Sequence, residues 1–103
     1  MASYFNIIGS TLSTVELKEP EATLIIKSIL ITNVHDTADA TVTLFIQDDP
    51  DSGTTRTFNI IHTIAVPADT SLYLDDSNMF NFGDEFGLYV TVGSSDTVDI
   101  IIN

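Results

Sequence analysis

Apolar residues in this chain recur at every second position, in short runs repeated from end to end. In TVTLFIQ, Val42, Leu44 and Ile46 fall on one parity while Thr41, Thr43 and Gln47 fall on the other. In TFNIIHTIAV, Phe58, Ile60, His62, Ile64 and Val66 share a parity. SLYL groups Leu72 with Leu74, GLYVTV groups Leu88, Val90 and Val92, and VDIIIN groups Val98, Ile100 and Ile102. Successive side chains of a strand point to opposite faces, so this period builds sheets with one dry face. Helical spacing is hard to find, and Thr, Ile and Val dominate, types whose branched Cβ suits a pleated surface. Phe45 sits on the polar parity of its run, which marks it for a contact outside the main core.

Turn residues separate the runs at short intervals, which places strands at Tyr4–Ile8, Thr14–Leu17, Thr23–Asn33, Thr41–Gln47, Arg56–Val66, Thr70–Leu74, Phe86–Val92 and Thr97–Ile102. HDTADA, DDPDSGTT and GSSDT read as hairpin connections, with Phe86–Val92 and Thr97–Ile102 as the last hairpin. VPADTS is a Pro-led turn. In the long irregular stretch DDSNMFNFGDEF, Gly83, with Gly87 just beyond it, is expected to take a conformation that other residues avoid. Eight short strands without a helix predict an all-β, antiparallel, jelly-roll-like β-sandwich. The whole of 1–103 reads as one domain, with 1–20 as a possible N-terminal arm or pair of edge strands.

Composition narrows the function. At 103 residues and 44% hydrophobic content a single packed core is expected. There is no cysteine, so disulfides and thiolate metal sites are excluded. The longest apolar run, LIIKSILI, is interrupted by Lys27 and too short to span a bilayer, and MASYFNIIGS lacks the basic and apolar regions of a secretory signal. Three basic residues against 15 acidic ones give a net charge of −12. Lys18, Lys27 and Arg56 cannot make a basic patch, so neither nucleic acid nor an anionic membrane is an expected partner.

The chemical candidates are weak. Ser, His and Asp all occur, but no strand–Gly-x-Ser-x-Gly–helix element exposes a nucleophile, so no catalytic residue is expected. His35, Asp36 and Asp39 lie in a turn, where Asp36 and Asp39 are expected to bond nearby backbone N–H groups. Two histidines are too few for a zinc site, and His62, on the apolar parity, reads as a core or interface imidazole. In QDDPDSG, the residues Asp48, Asp49, Asp51 and Gly53 miss the calcium-loop spacing, and Asn59 stands where the bidentate Glu belongs. That run reads as a solvated hairpin loop, with weak Ca²⁺ or Mg²⁺ binding as the alternative, and Asp75 and Asp76 as a second acidic pair. No glycine fingerprint for phosphate or dinucleotide occurs, and no cofactor is expected.

The aromatic residues say more. Tyr4, Phe5, Phe45, Tyr73 and Tyr89 are the candidates for a partner interface, since clustered exposed aromatics mark such surfaces. The N-terminal segment ASYFNIIGS is divided between two readings, pairing in its own sheet or adding to a neighbouring subunit's.

The order of motifs resembles the small β-sandwich virion proteins of tailed bacteriophages, of marine or cyanobacterial phage type. NIIGSTLSTVELKEPEATLIIKSILITNVHDTADATVTLFI is similar to their opening, and VPADTSLYLDD and FNFGDEFGLYVTVGSSDTVDIIIN are similar to their second half. Ala68-Asp69 departs from the small-Gly pair usual after the turn proline. The resemblance implies a non-enzymatic structural protein of the virion, assembled in the host cytoplasm. Its implied roles are, first, a capsid decoration protein, then a neck, tail or fibre-associated accessory protein. It implies homo-oligomers, with a trimer favoured, and contact with major capsid or neck and tail proteins. A receptor- or carbohydrate-binding module using Tyr73 and Tyr89 near the Asp-rich loops is the competing reading.

Overall fold

The computed structural model describes residues 3–8, 13–48, 55–93 and 96–103. The strands are β1 (Ser3–Ile8), β2 (Ser13–Lys18), β3 (Ile29–Asn33), β4 (Ala40–Asp48), β5 (Thr57–Val66), β6 (Ser71–Leu74), β7 (Phe86–Val92) and β8 (Thr97–Ile102). They form two four-stranded sheets with orders β1-β8-β3-β6 and β2-β7-β4-β5, here sheets A and B. Each pairing is antiparallel. The chain thus has jelly-roll topology, an all-β sandwich as its alternating pattern predicts. Among the described residues no helix is long and apolar enough to cross a membrane.

The two inner faces make the core. Sheet B contributes Val42, Leu44, Leu88, Val90 and Val92, and sheet A contributes Ile29, Ile31, Val98, Ile100 and Ile102. All are at most 1% exposed, and all but Ile29 and Ile31 belong to the runs of two-residue period named above. Each such side chain contributes on the order of 1.5–3 kcal/mol by leaving water.

Alternation tells which face a residue takes but not which sheet its strand joins. β3 and β4 lie in different sheets, as do β7 and β8. HDTADA and GSSDT therefore cross the sandwich and are not hairpin turns. Of the three expected hairpins only β4–β5 is one. Residues 49–54 and 94–95 lie outside the described structure, so most of the DDPDSGTT turn and the Ser94-Ser95 pair of GSSDT do too.

Three local readings are corrected. The strand expected over Thr23–Asn33 begins only at Ile29. Before it, Leu24, Ile25 and Ile26 carry no alternation, and Ile25 is 80% exposed. There the Lys27 and Ser28 N–H groups both donate to the Asn103 carbonyl, at 2.6 and 3.1 Å. Next, β5 loses its parity to two register shifts against β4: Val42 pairs with Ile64, Leu44 with Ile61, and Phe45 with Asn59. Thr63 takes φ 54°, and its N–H donates to Thr43 Oγ1 at 2.9 Å. A bulge adds one unpaired residue and reverses the parity of the residues beyond it, so His62 is exposed and is not a core imidazole. Finally, Gly87 is required for space and not for an unusual φ. A Cβ there would lie 2.9 Å from the Lys18 carbonyl oxygen and 2.8 Å from Tyr89 Oη. Gly83 likewise has no left-handed φ, and the left-handed residues are instead Glu21 (φ 70°), Thr63 and Asp69 (φ 54°), the last in the turn closed by Thr70 N–H donating to the Pro67 carbonyl at 3.2 Å. Aspartate is among the few L residues that tolerate it.

The long stretch after β6 closes one end of the sandwich. A 3₁₀ turn at Ser77–Phe80 is capped by Asp76, which accepts from the Asn78 N–H at 3.0 Å, and it delivers Phe80 into the core. Lys18, 4% exposed, pins the adjoining segment. Its Nζ donates to the carbonyls of Phe86, Glu19 and Asp84 at 2.7, 3.1 and 3.2 Å, and lies 5.9 Å from the Phe82 ring centre. Three donors thus meet three acceptors, so the buried ammonium is fully satisfied. At the far end of the β4–β5 hairpin, Arg56 closes on Asp48. Its backbone N–H and its Nε each donate to the Asp48 carboxylate at 2.7 Å. The backbone hydrogen bond from Arg56, then the side-chain one, holds the Asp48 carboxyl below its ordinary value.

Both anchors are open to measurement. Lys18→Met keeps the stem but strands three carbonyls, and is expected to lower stability by about 2–3 kcal/mol, read as a lower urea midpoint at unchanged slope. Because the Asp48 pKa is lower folded than unfolded, its contribution is present above the ordinary carboxylate value, about 3.9, and is lost as pH falls through the depressed one. Asp48→Asn is therefore expected to lower the urea midpoint at pH 7 and to flatten its fall between pH 4 and 2 (on the order of the carboxylate range). An acid limb as steep as that of the native chain would contradict the assignment.

Candidate functional site

The residues left over once the core is built lie on the two outer faces. On sheet A, Tyr4 pairs with Ile101, Ile101 with Leu30, and Leu30 with Tyr73. One row of four apolar or aromatic side chains therefore crosses all four strands. Tyr4 is 73% and Tyr73 57% exposed at its two ends, and Ile101 and Leu30 are half-buried between them. The next row is polar: Asn6, Asp99, Thr32 and Ser71. It is knitted together by the Asn6 amide donating to Asp99 and by Thr32 Oγ1 and Ser71 Oγ at 2.8 Å. Beyond it stand Ile8, 70% exposed, and its partner Thr97. A groove of about 330 Å³ runs along the β1 side of this face, lined by Tyr4, Phe5, Asn6, Asp99, Ile100 and Ile101.

On sheet B the outer row is Glu16, Tyr89, Phe45 and Asn59. Phe45 stacks on Tyr89 with ring centres 5.6 Å apart and planes at 22°. The contact expected of Phe45 outside the core is thus with a neighbour in its own chain. Flanking rows carry Thr14 and Thr91, whose hydroxyls lie 3.0 Å apart, and Gln47, whose amide donates to Thr57 Oγ1 at 3.0 Å.

The five aromatic candidates therefore divide three ways. Tyr4 and Tyr73 are joined in one row on sheet A, and Phe45 and Tyr89 in one row on sheet B. Phe5 pairs with Ile100 on the inner parity, half-buried against the core. Tyr73 and Tyr89 stand on opposite outer faces, so they do not form the single site near the Asp-rich loops that a sugar-binding module would need. β1 pairs with β8 of its own chain and leaves its other edge outermost. An aromatic corner that parity does not reveal lies at the end of sheet B. The Arg56 guanidinium is 5.5 Å from the Phe86 ring centre, and Phe58 packs edge-on against Phe86 at 5.9 Å. The signal for it was the symmetric placement of Asp48 and Arg56 at the two ends of one turn.

The residues that looked chemical are architectural. Asn33 is fully buried. Its amide donates to the carbonyls of Ala38 and Val66 at 2.8 and 2.9 Å, and its Oδ1 accepts from the His35 N–H at 2.9 Å. His35 Nδ1 accepts from the N–H groups of Thr37 and Ala38, at 3.1 and 3.0 Å. The capping expected of Asp36 and Asp39 thus falls to His35, whose Nδ1 must be unprotonated to do it, while both aspartates are exposed. Of the acidic candidates, Asp48 is engaged by Arg56 and Asp76 by the 3₁₀ turn, Asp75 is exposed, and Asp49, Asp51 and Gly53 lie outside the described residues. Among the described residues no group of three His, Cys, Asp or Glu side chains is placed to hold a metal ion.

No family model matches the chain, and no curated protein does. Among solved structures, the crystal structure of PirA is similar to it with a TM-score of 0.57 at 13% identity, over 98% of this chain and 91% of that one. At that identity the likeness is one of fold: the chain shares its sandwich architecture with PirA.

Proposed function

We propose that the chain is a non-enzymatic structural protein of a bacteriophage virion, a capsid decoration protein that attaches by shape and apolar contact. The observation that carries the reading is the Tyr4–Ile101–Leu30–Tyr73 row across sheet A. A chain of net charge −12 carries one carboxylate, Asp99, in the two central rows of this face. The Tyr4 row itself carries no charge, so it can approach another protein surface without burying an unpaired ion, which would cost several kcal/mol, and Asp99 in the next row accepts from the Asn6 amide. The acidic residues elsewhere then act as a solvated, solubilising shell. The virion itself enters through the sequence resemblance, and jelly rolls are common in viral capsid domains, though fold alone does not assign a role.

A second reading has its own observation. The stacked Phe45–Tyr89 pair lies between Glu16 and Asn59, with Gln47 and Thr57 in the adjacent row. Aromatic rings beside amide and carboxylate groups are what a receptor- or carbohydrate-binding face requires. A glycan array without binders would remove it.

The test of the first reading uses purified particles. The chain is expected at a stoichiometric copy number by quantitative mass spectrometry, and in density on the outer capsid surface. Tyr4→Ser with Tyr73→Ser is expected to weaken rebinding to particles stripped of the protein by about tenfold or more, roughly 1.4 kcal/mol. Its urea midpoint should stay near that of the native chain, since exposed positions change stability by about 0.5 kcal/mol or less. Absence from particles overturns the reading; density at the neck or tail moves it to the accessory role.

A further inference from the structure

The two sheets have four edge strands, β1, β6, β2 and β5, and three of them are protected against pairing with another chain. β6 is only four residues long. β2 carries Glu16 and Lys18 and a register shift between them. β5 is broken by two register shifts and by the positive φ of Thr63. Short length, charge and bulges are the devices by which sheets blunt their edges. β1 has none of them. Its six residues SYFNII include no charge, proline or glycine, and they pair with β8 in unbroken register from Ser3–Ile102 to Ile8–Thr97. Among the described residues no other segment hydrogen-bonds its backbone to that strand.

We infer that β1 is a self-pairing edge, and that two copies of this chain join through antiparallel β1–β1 contact into one continuous eight-stranded sheet. The occupant is read from the strand's own pattern. In an antiparallel pair, opposed side chains must share a face. With the twofold axis at Asn6, Tyr4 lies opposite Ile8 of the partner on the outer face, and Phe5 lies opposite its Ile7 on the inner face. The two most exposed apolar side chains of β1, Tyr4 at 73% and Ile8 at 70%, thereby cover each other twice. The same register lengthens the apolar row by one side chain, the second copy's Ile8, before its polar neighbour Thr97. An isologous contact of this kind closes as a dimer. It therefore makes pairs of chains, where the resemblance implied a trimer. It does not depend on the virion reading, since it uses only the edge.

Charge sets the conditions. Two chains of −12 repel as they approach, but the contacting strand is itself uncharged. Screening beyond about 10 Å at 0.1 M salt removes most of that repulsion. A six-residue edge falls short of the roughly 800 Å² per partner of a standard interface, so the dimer should be reversible.

Sedimentation of the full chain across protein and salt concentration tests this directly. A monomer–dimer equilibrium strengthened by salt is expected; a monomer throughout, a trimer, or association weakened by salt overturns it. Since the chain has no cysteine, register can be read by single substitutions. Asn6→Cys sits on the axis and should cross-link to dimer under mild oxidation. Tyr4→Cys should not, because its symmetry mate lies four residues along, about 13 Å away. Equal cross-linking of the two overturns the register. Tyr4→Lys with Ile8→Lys opposes like charges and should abolish the dimer, whereas Tyr4→Lys with Ile8→Glu should restore it. Failure of the second pair to restore what the first removes also overturns it.

Discussion

The contact between two layers of branched aliphatic side chains is what every other feature of this molecule accommodates. Ile29, Ile31, Ile100 and Ile102 on one sheet meet Val42, Leu44, Val90 and Val92 on the other with essentially no exposure to solvent. Stacked sheets stand about 10 Å apart, a gap that such side chains fill over the middle of the sandwich, with Phe80 entering from the turn after β6. Among the described residues Phe80 is the one aromatic buried with them, and Phe5 and Phe82 pack half-buried against the core, while Phe45, Tyr89, Tyr4 and Tyr73 stand on the outer faces and Phe58 and Phe86 at the end of sheet B. The aromatic residues available for contact with partners follow from the shape of the core.

A chain that crosses repeatedly between two sheets must leave polar backbone at the crossings, and polar side chains satisfy it there. Asn33 ties the β3–β4 crossing to the end of β5 with three hydrogen bonds, and His35 holds the turn itself with two. Lys18 does the corresponding work at the opposite side of the fold, bonding three carbonyls of the segments that meet beside Phe82. For Asn33 and Lys18 the alternative is an unpaired buried group, which costs about 1–3 kcal/mol. These side chains are therefore structural, however much His35 and its aspartate neighbours resemble a site when read along the chain.

The inner face was legible from period alone: Val42, Leu44, Val90, Ile100 and Ile102 are buried because neighbours two residues away are apolar too. The assignment of strands to sheets was not, because an in-phase turn fits a hairpin and a crossing equally well. GSSDT and HDTADA show this, and only long-range pairing such as β1 with β8 decides between the two. His62 escaped for a different reason. Its position depends on a bulge whose cause, the Thr63 N–H turning to the Thr43 hydroxyl, involves a residue on another strand. The interface candidates were visible singly as off-parity aromatics. That Tyr4 and Tyr73 stand in one row and Tyr89 on the opposite face is a fact of register, and no local pattern carries it.

Charge and edges together set the outer face of sheet A apart from the acidic loops. Here the Tyr4 row has no carboxylate and the Asn6 row has one, already bonded to the Asn6 amide. The same sheet holds the one edge strand that neither shortness, charge nor a bulge protects. Solubility alone would favour charge in both places, since exposed apolar rows and flat edges invite aggregation. Their coincidence on one sheet makes sense if that sheet is covered in the assembled state. The acidic excess lies mostly in the segments that join the strands, away from that row.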